Sequence, residues 1–194
     1  LRCFRPESHC LCGRVPPFDA HCNILILQHP HERRKYYGTA KLVVDVIRNA
    51  KLLRGIEFEQ ATLEQQLSNG TTYLVYPAAK AYHAEEVSLT DNDTIVIIDG
   101  TWSEAGKLVR RNPLLSTLPR LTFSSPLRSH YTIRKQPREH YLSTIECIAH
   151  LLSINAKHSG KPAYVSRYEG LLTLFHALVE HQLQYFPRNQ PPPR

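Results

Sequence analysis

The sequence predicts an α/β fold: one mostly parallel sheet with helices on both faces. Three observations predict it. Short apolar runs such as NILILQHP, TTYLVYP and TIVII recur between segments with helical periodicity, and strands that alternate with helices pair in parallel. The residues within each run are apolar consecutively rather than at every second position, the pattern of a strand covered on both sides. The 194 residues are enough for one sizeable core.

Taken in order, residues 1–21 are rich in Cys, Pro and Arg and predict a small irregular knuckle. Asn23 to Pro30 reads as a buried strand that runs into a loop at His-Pro. The following HERRKYY is a basic loop. Thr39 is placed to cap a helix carrying Leu42, Val43, Val46 and Ile47. IEFE, residues 56–59, predicts a short strand, and ATLEQQLSNG a short helix stopped at Asn-Gly. Further strands are expected at Thr71–Pro77, Thr94–Ile98 and Arg120–Phe123. Two long helices follow, one from Ser143 and one from near Ser166. The resulting division is a knuckle at 1–21, an α/β domain at 22–187 and a Pro-rich tail at 188–194, with no internal repeat.

Charge narrows the partner. Lys and Arg number 24 against 17 Asp and Glu, a net charge of +7, with eleven His in reserve. Such a balance fits a polyanion partner, most often nucleic acid, and fits equally a merely basic protein without such a partner. No apolar run approaches the roughly 20 residues that span a bilayer, and LRCFRPESHC has no signal-peptide core. A soluble, cytoplasmic chain with no membrane partner is expected. Five cysteines, three of them at Cys3, Cys10 and Cys12, fit a metal better than a disulfide framework. Cys22 and Cys147 read as small core residues.

The stretch IVIIDGTWSEA, Ile95 to Ala105, carries the candidate site. A buried strand ends at Asp99, Gly100 allows a sharp turn, and Thr101 with Glu104 forms a Thr-x-x-Glu capping box. Asp99 thus stands at the carboxyl end of a central strand beside a helix N-terminus, where open α/β sheets bind ligands. The helix end suits a carboxylate or phosphate. Asp, Gly and Thr are equally the residues of an ordinary turn and cap. Trp102 is either a platform for a base or a core aromatic. A second box, Ser143-Thr-Ile-Glu146, follows the basic segment SHYTIRKQPREHYL, which as a charge run is also readable as a solvated loop.

These residues, with CFRPESHCLC, ILQHPHERRK, GTAKL, LVYP, DGTWSEA, YTIRKQP and LSTIE in register along nearly the whole chain, resemble the DTW-domain proteins. Those are tRNA-uridine aminocarboxypropyltransferases related to the SPOUT RNA methyltransferases. The resemblance implies a SPOUT-like sheet, knotted or unknotted, in a monomer or homodimer. It implies transfer of the 3-amino-3-carboxypropyl group of S-adenosylmethionine to N3 of a tRNA uridine, with methylthioadenosine released. In the bacterial branch, whose pattern the chain follows, that uridine lies in the variable loop; other branches modify the D-loop.

Carried onto this sequence, Asp99, Thr101 and Trp102 are the expected catalytic residues, Asp99 as a desolvated base and Trp102 as the platform for a flipped uracil. Tyr76, Pro77, Gly100, Thr101, Ser143, Thr144 and Glu146 are expected to hold the donor. Arg33, Arg34, Lys35, Arg128, Arg134 and Lys135 are expected to hold tRNA phosphates. The family opens on Cys-x-x-Cys, whose first member falls before Leu1. Cys3, Cys10 and Cys12 are then three of the four thiolates of a structural zinc. The rival readings are an RNA methyltransferase on the same kind of fold and a non-catalytic basic RNA-binding module.

Overall fold

The structure, a computed structural model, describes residues 10–34, 38–67, 69–124 and 142–184. The elements in chain order are β1 (Asn23–Gln28), a 3-10 turn (Pro30–Arg34), α1 (Ala40–Val46), β2 (Ala50–Arg54), α2 (Gln60–Glu64), β3 (Thr72–Val75), β4 (Tyr82–His83), β5 (Thr94–Asp99), α3 (Trp102–Arg111), α4 (Pro113–Thr117), β6 (Arg120–Thr122), α5 (Thr144–His158) and α6 (Val165–Leu183). The six strands form one sheet in the order β2-β1-β5-β3-β6-β4, and every pairing is parallel. The expected α/β class holds. Residues 125–141, between β6 and α5, lie outside the described residues.

Consecutive apolar residues in β1 and β5 serve two cores. Ile24, Ile26, Ile95 and Ile97 join a cluster with α1, α5 and α6 on one face. Leu25, Leu27 and Val96 join Leu63, Leu108 and Leu115 of α2, α3 and α4 on the other. Alternate strand side chains point to opposite faces, so an unbroken apolar run is what a doubly covered strand requires. Each such side chain fully withdrawn from water contributes about 1.5–3 kcal/mol. Leu11, Phe18 and Ala20 are buried in the first cluster. Cys22 is buried as expected, and burial pushes its thiol up to about 12.

Several expectations are corrected. The second strand is Ala50–Arg54, not IEFE. In the latter, the Ile56 carbonyl accepts from the Asn112 side-chain amide and the Phe58 N–H donates to the Asn112 side-chain oxygen. That side chain takes the partners a strand ladder would need. Helix α1 stops at Val46 because Asn49 turns the chain, donating to the carbonyls of Ala20 and Cys22. Thr39 does not cap α1 with its side chain: its backbone is already helical, with φ −89° and ψ −23°, whereas a capping residue is normally extended. The basic loop after β1 begins as the 3-10 turn. The small elements β4 and α4 had no expectation.

One buried polar network crosses the first core. His21 Nδ1 is 2.6 Å from the Tyr168 hydroxyl, and its Nε2 is 3.0 Å from Asn155 Oδ1. Asn155 donates in turn to the carbonyls of Ala84 and Val87. Burial lowers the His21 pKa, which keeps the imidazole neutral inside this network. Among the described residues no helix is long and apolar enough to cross a membrane.

Candidate active site

Parallel register assembles the site. Gln28 pairs with Asp99, and Arg54 pairs with Gln28, at the carboxyl ends of three adjacent strands. Residues in register share a face, so their side chains form a row. Arg54 Nε donates to Gln28 Oε1 at 2.8 Å, and Gln28 Nε2 donates to Asp99 Oδ2 at 2.8 Å. Asp99 Oδ1 accepts from the Thr144 hydroxyl at 2.5 Å. Asp99 is 8% exposed and Gln28 4%. Both carboxylate oxygens are therefore oriented by a donor.

Two helices start here with the same cap. At α3, Glu104 Oε2 accepts from the Thr101 N–H at 2.7 Å and hydroxyl at 2.8 Å, and the Glu104 N–H points back to the Thr101 hydroxyl oxygen at 3.4 Å. At α5, Glu146 Oε2 accepts from the Ser143 N–H at 2.8 Å and hydroxyl at 2.7 Å. Both predicted capping boxes are therefore present. Thr144 is the first residue of α5, so its bond to Asp99 draws the second helix start onto the end of β5.

Gly100 makes the turn between Asp99 and Thr101. A Cβ there would lie 3.2 Å from the Glu104 Cβ and 3.4 Å from the His29 Cβ. A side chain at this turn would press on Glu104 by a few tenths of an ångström. Trp102 is 45% exposed, which decides against its reading as a core aromatic. Its ring lies 6.0 Å from that of half-buried Tyr76, tilted by 56°. The Arg120 guanidinium stands 5.8 Å over the Tyr76 ring. An exposed tryptophan beside a half-buried tyrosine backed by a cation suits a flat ring such as a nucleobase.

Beside this pair, Glu104 Oε1 lies 3.1 Å from His29 Nδ1 and 3.0 Å from His31 Nδ1. Burial pushes the Glu104 carboxyl up, but hydrogen bonds from the Thr101 backbone and hydroxyl and from His31, with the nearby His29, bring it down to about 2.

Of the predicted site residues, Asp99, Gly100, Thr101, Trp102, Tyr76, Ser143, Thr144 and Glu146 come together at this edge of the sheet. Pro77 follows Tyr76 and is exposed. Arg33 is exposed in the 3-10 turn that His29 and His31 tie to Glu104. Lys35, Arg128, Arg134, Lys135 and Cys3 lie outside the described residues, as does the Arg34 side chain. Cys10 is half-buried and Cys12 exposed. Sequence reasoning missed Gln28, His29, His31, Arg54 and Arg120. Gln28 carried a usable signal, a polar residue closing an apolar strand, as Asp99 does.

The DTW-domain family model matches residues 1–183. The chain belongs to the DTW-domain family. It is 34% identical to tRNA-uridine aminocarboxypropyltransferase 2 of Macaca fascicularis and 32% identical to that of Mus musculus, in each case over 95% of this chain and 63% of the relative. Identity to the Drosophila melanogaster protein of the same name is 33% over 79% of this chain and 64% of the relative. The chain thus spans less than two thirds of the length of these curated relatives. No solved structure matches it.

Proposed function

We propose that this DTW domain transfers the 3-amino-3-carboxypropyl group of S-adenosylmethionine to N3 of a tRNA uridine. The observation that carries the reading is Asp99, held at both oxygens by Gln28 and Thr144, beside an exposed Trp102–Tyr76 pair. Uracil N3 carries a proton that must leave before or during attack. Asp99 accepts it, and the two donors fix the orientation of the carboxylate. Trp102 stacks on the uracil once it has left its neighbours. The starts of α3 and α5 offer positive dipole ends to the donor's carboxylate, and Tyr76 with Pro77 borders its adenosine. S-adenosylmethionine supplies an activated γ-carbon: as N3 bonds to it, the carbon–sulfur bond breaks and its electron pair leaves with methylthioadenosine. Holding N3 in line with that carbon accounts for a large part of the acceleration.

The names of the curated relatives support both the tRNA substrate and the group transferred. Arg33, with Arg34 and Lys35 and with Arg128, Arg134 and Lys135, would neutralise tRNA phosphates. Residues 1–21, with Cys3, Cys10 and Cys12 as zinc thiolates, would form a knuckle on the catalytic unit at 22–187, in a cytoplasmic enzyme. The test is to incubate the protein with S-adenosylmethionine and bulk tRNA and identify the nucleoside released. Methylthioadenosine is the expected product. S-adenosylhomocysteine would make the chain a methyltransferase, and neither product would leave it an RNA-binding module.

A further inference from the structure

We propose that His29, His31 and Glu104 form a divalent transition-metal site, suited to zinc, at the mouth of the crevice. The ligand atoms are His29 Nδ1, His31 Nδ1 and Glu104 Oε1. They lie within 4.8 Å of one another, and the oxygen is 3.1 and 3.0 Å from the two nitrogens. Zinc bonds of about 2.0–2.2 Å at tetrahedral angles put ligand atoms roughly 3.3–3.5 Å apart. The cluster therefore needs only a few tenths of an ångström of adjustment on these two edges.

The donor set fits the metal. Imidazole nitrogen with one carboxylate oxygen is a zinc-type combination, and His-x-His places two imidazoles on one short segment. The rings of His29 and His31 sit 4.6 Å apart and nearly perpendicular. The His31 amide also lies 3.4 Å from His29 Nδ1, and a metal at this corner would take that nitrogen's single lone pair in its place.

The second layer is also built. Ligating carboxylates are held by outer hydrogen bonds that fix their orientation. Glu104 meets this requirement with its other oxygen, which accepts from the Thr101 N–H and hydroxyl. His29 is 3% exposed and His31 77%, so the site has one buried wall and one open side. Three protein ligands then leave a position for water or an oxygen of a bound molecule. The metal would fasten the Arg33-bearing 3-10 turn to the start of α3, next to Trp102. It is a separate site from a thiolate zinc at Cys3, Cys10 and Cys12, and it stands independently of the transfer reading.

The test is calorimetric zinc titration of the chelator-stripped, reduced chain, compared with His31→Ala and Glu104→Gln. The exposed His31 can be removed with little effect on the fold, and Gln retains a capping-box acceptor. Wild type is expected to bind one equivalent of zinc more than either variant. Cobalt at this equivalent should lack the thiolate charge-transfer band of a cysteine site. Equal stoichiometry in all three proteins would overturn the proposal, as would a thiolate spectrum for every equivalent bound.

Discussion

The two capping boxes use the same four-residue chemistry and do different work. The one at α3 is wet: Thr101 is exposed, Glu104 is 17% exposed, and the spare oxygen of Glu104 faces two histidines. The one at α5 is dry: Glu146 is 2% exposed, and the residue after the cap, Thr144, donates to Asp99. A box fixes where a helix begins. What surrounds it decides whether that beginning faces other side chains, orients a neighbouring carboxylate or serves only the backbone.

The largest effect that follows from this contrast is on stability. Glu146→Ala leaves the Ser143 N–H and hydroxyl unpaired in a partly buried place, at a cost of about 1–3 kcal/mol. Glu104→Ala leaves the corresponding Thr101 groups within reach of water and should cost about 1 kcal/mol or less. Urea melts of the two variants measure the difference, and equal losses would erase the distinction between dry and wet boxes.

The next effect is on rate. Thr144→Val keeps shape but removes the donor to Asp99, and should lower turnover about tenfold, the equivalent of one hydrogen bond to a charged group. Thr144→Ser should restore most of it. Initial rates at saturating donor and tRNA measure both. Full activity in the valine variant would mean that the α5 box has no part in positioning the carboxylate.

The smallest effect compares the caps themselves. Ser143→Ala and Thr101→Ala each lose one side-chain acceptor, near 1 kcal/mol by thermal melting. Ser143→Ala should be the more costly, because its box is partly buried while that of Thr101 is exposed.

Local chemistry made much of this legible in the sequence. The doubly covered β1 and β5 followed from their unbroken apolar runs, both boxes from Ser/Thr-x-x-Glu, and the place of Asp99 from the end of a strand. Long-range pairing was not legible. Arg54 reaches Gln28 only because β2 lies in register with β1, and the sequence placed that strand at IEFE. The reason is the Asn112 side chain, 56 residues away in sequence from Ile56. It claims the backbone of IEFE, and periodicity has no access to such a clamp. The His29–His31–Glu104 cluster was hidden for a related reason. Its members were read separately, two in a loop and one as a cap, and only the fold brings them within reach.

The most direct test of the account is a mass measurement. Bulk tRNA is incubated with S-adenosylmethionine and either wild type or Asp99→Asn, digested to nucleosides and weighed. Wild type should yield a uridine heavier by one 3-amino-3-carboxypropyl group. Asp99→Asn, with its fold and donor affinity retained, should yield it at a rate lower by about 10²–10⁴-fold, the usual worth of a positioned base. A folded Asp99→Asn protein that modifies uridine at the wild-type rate would contradict the account.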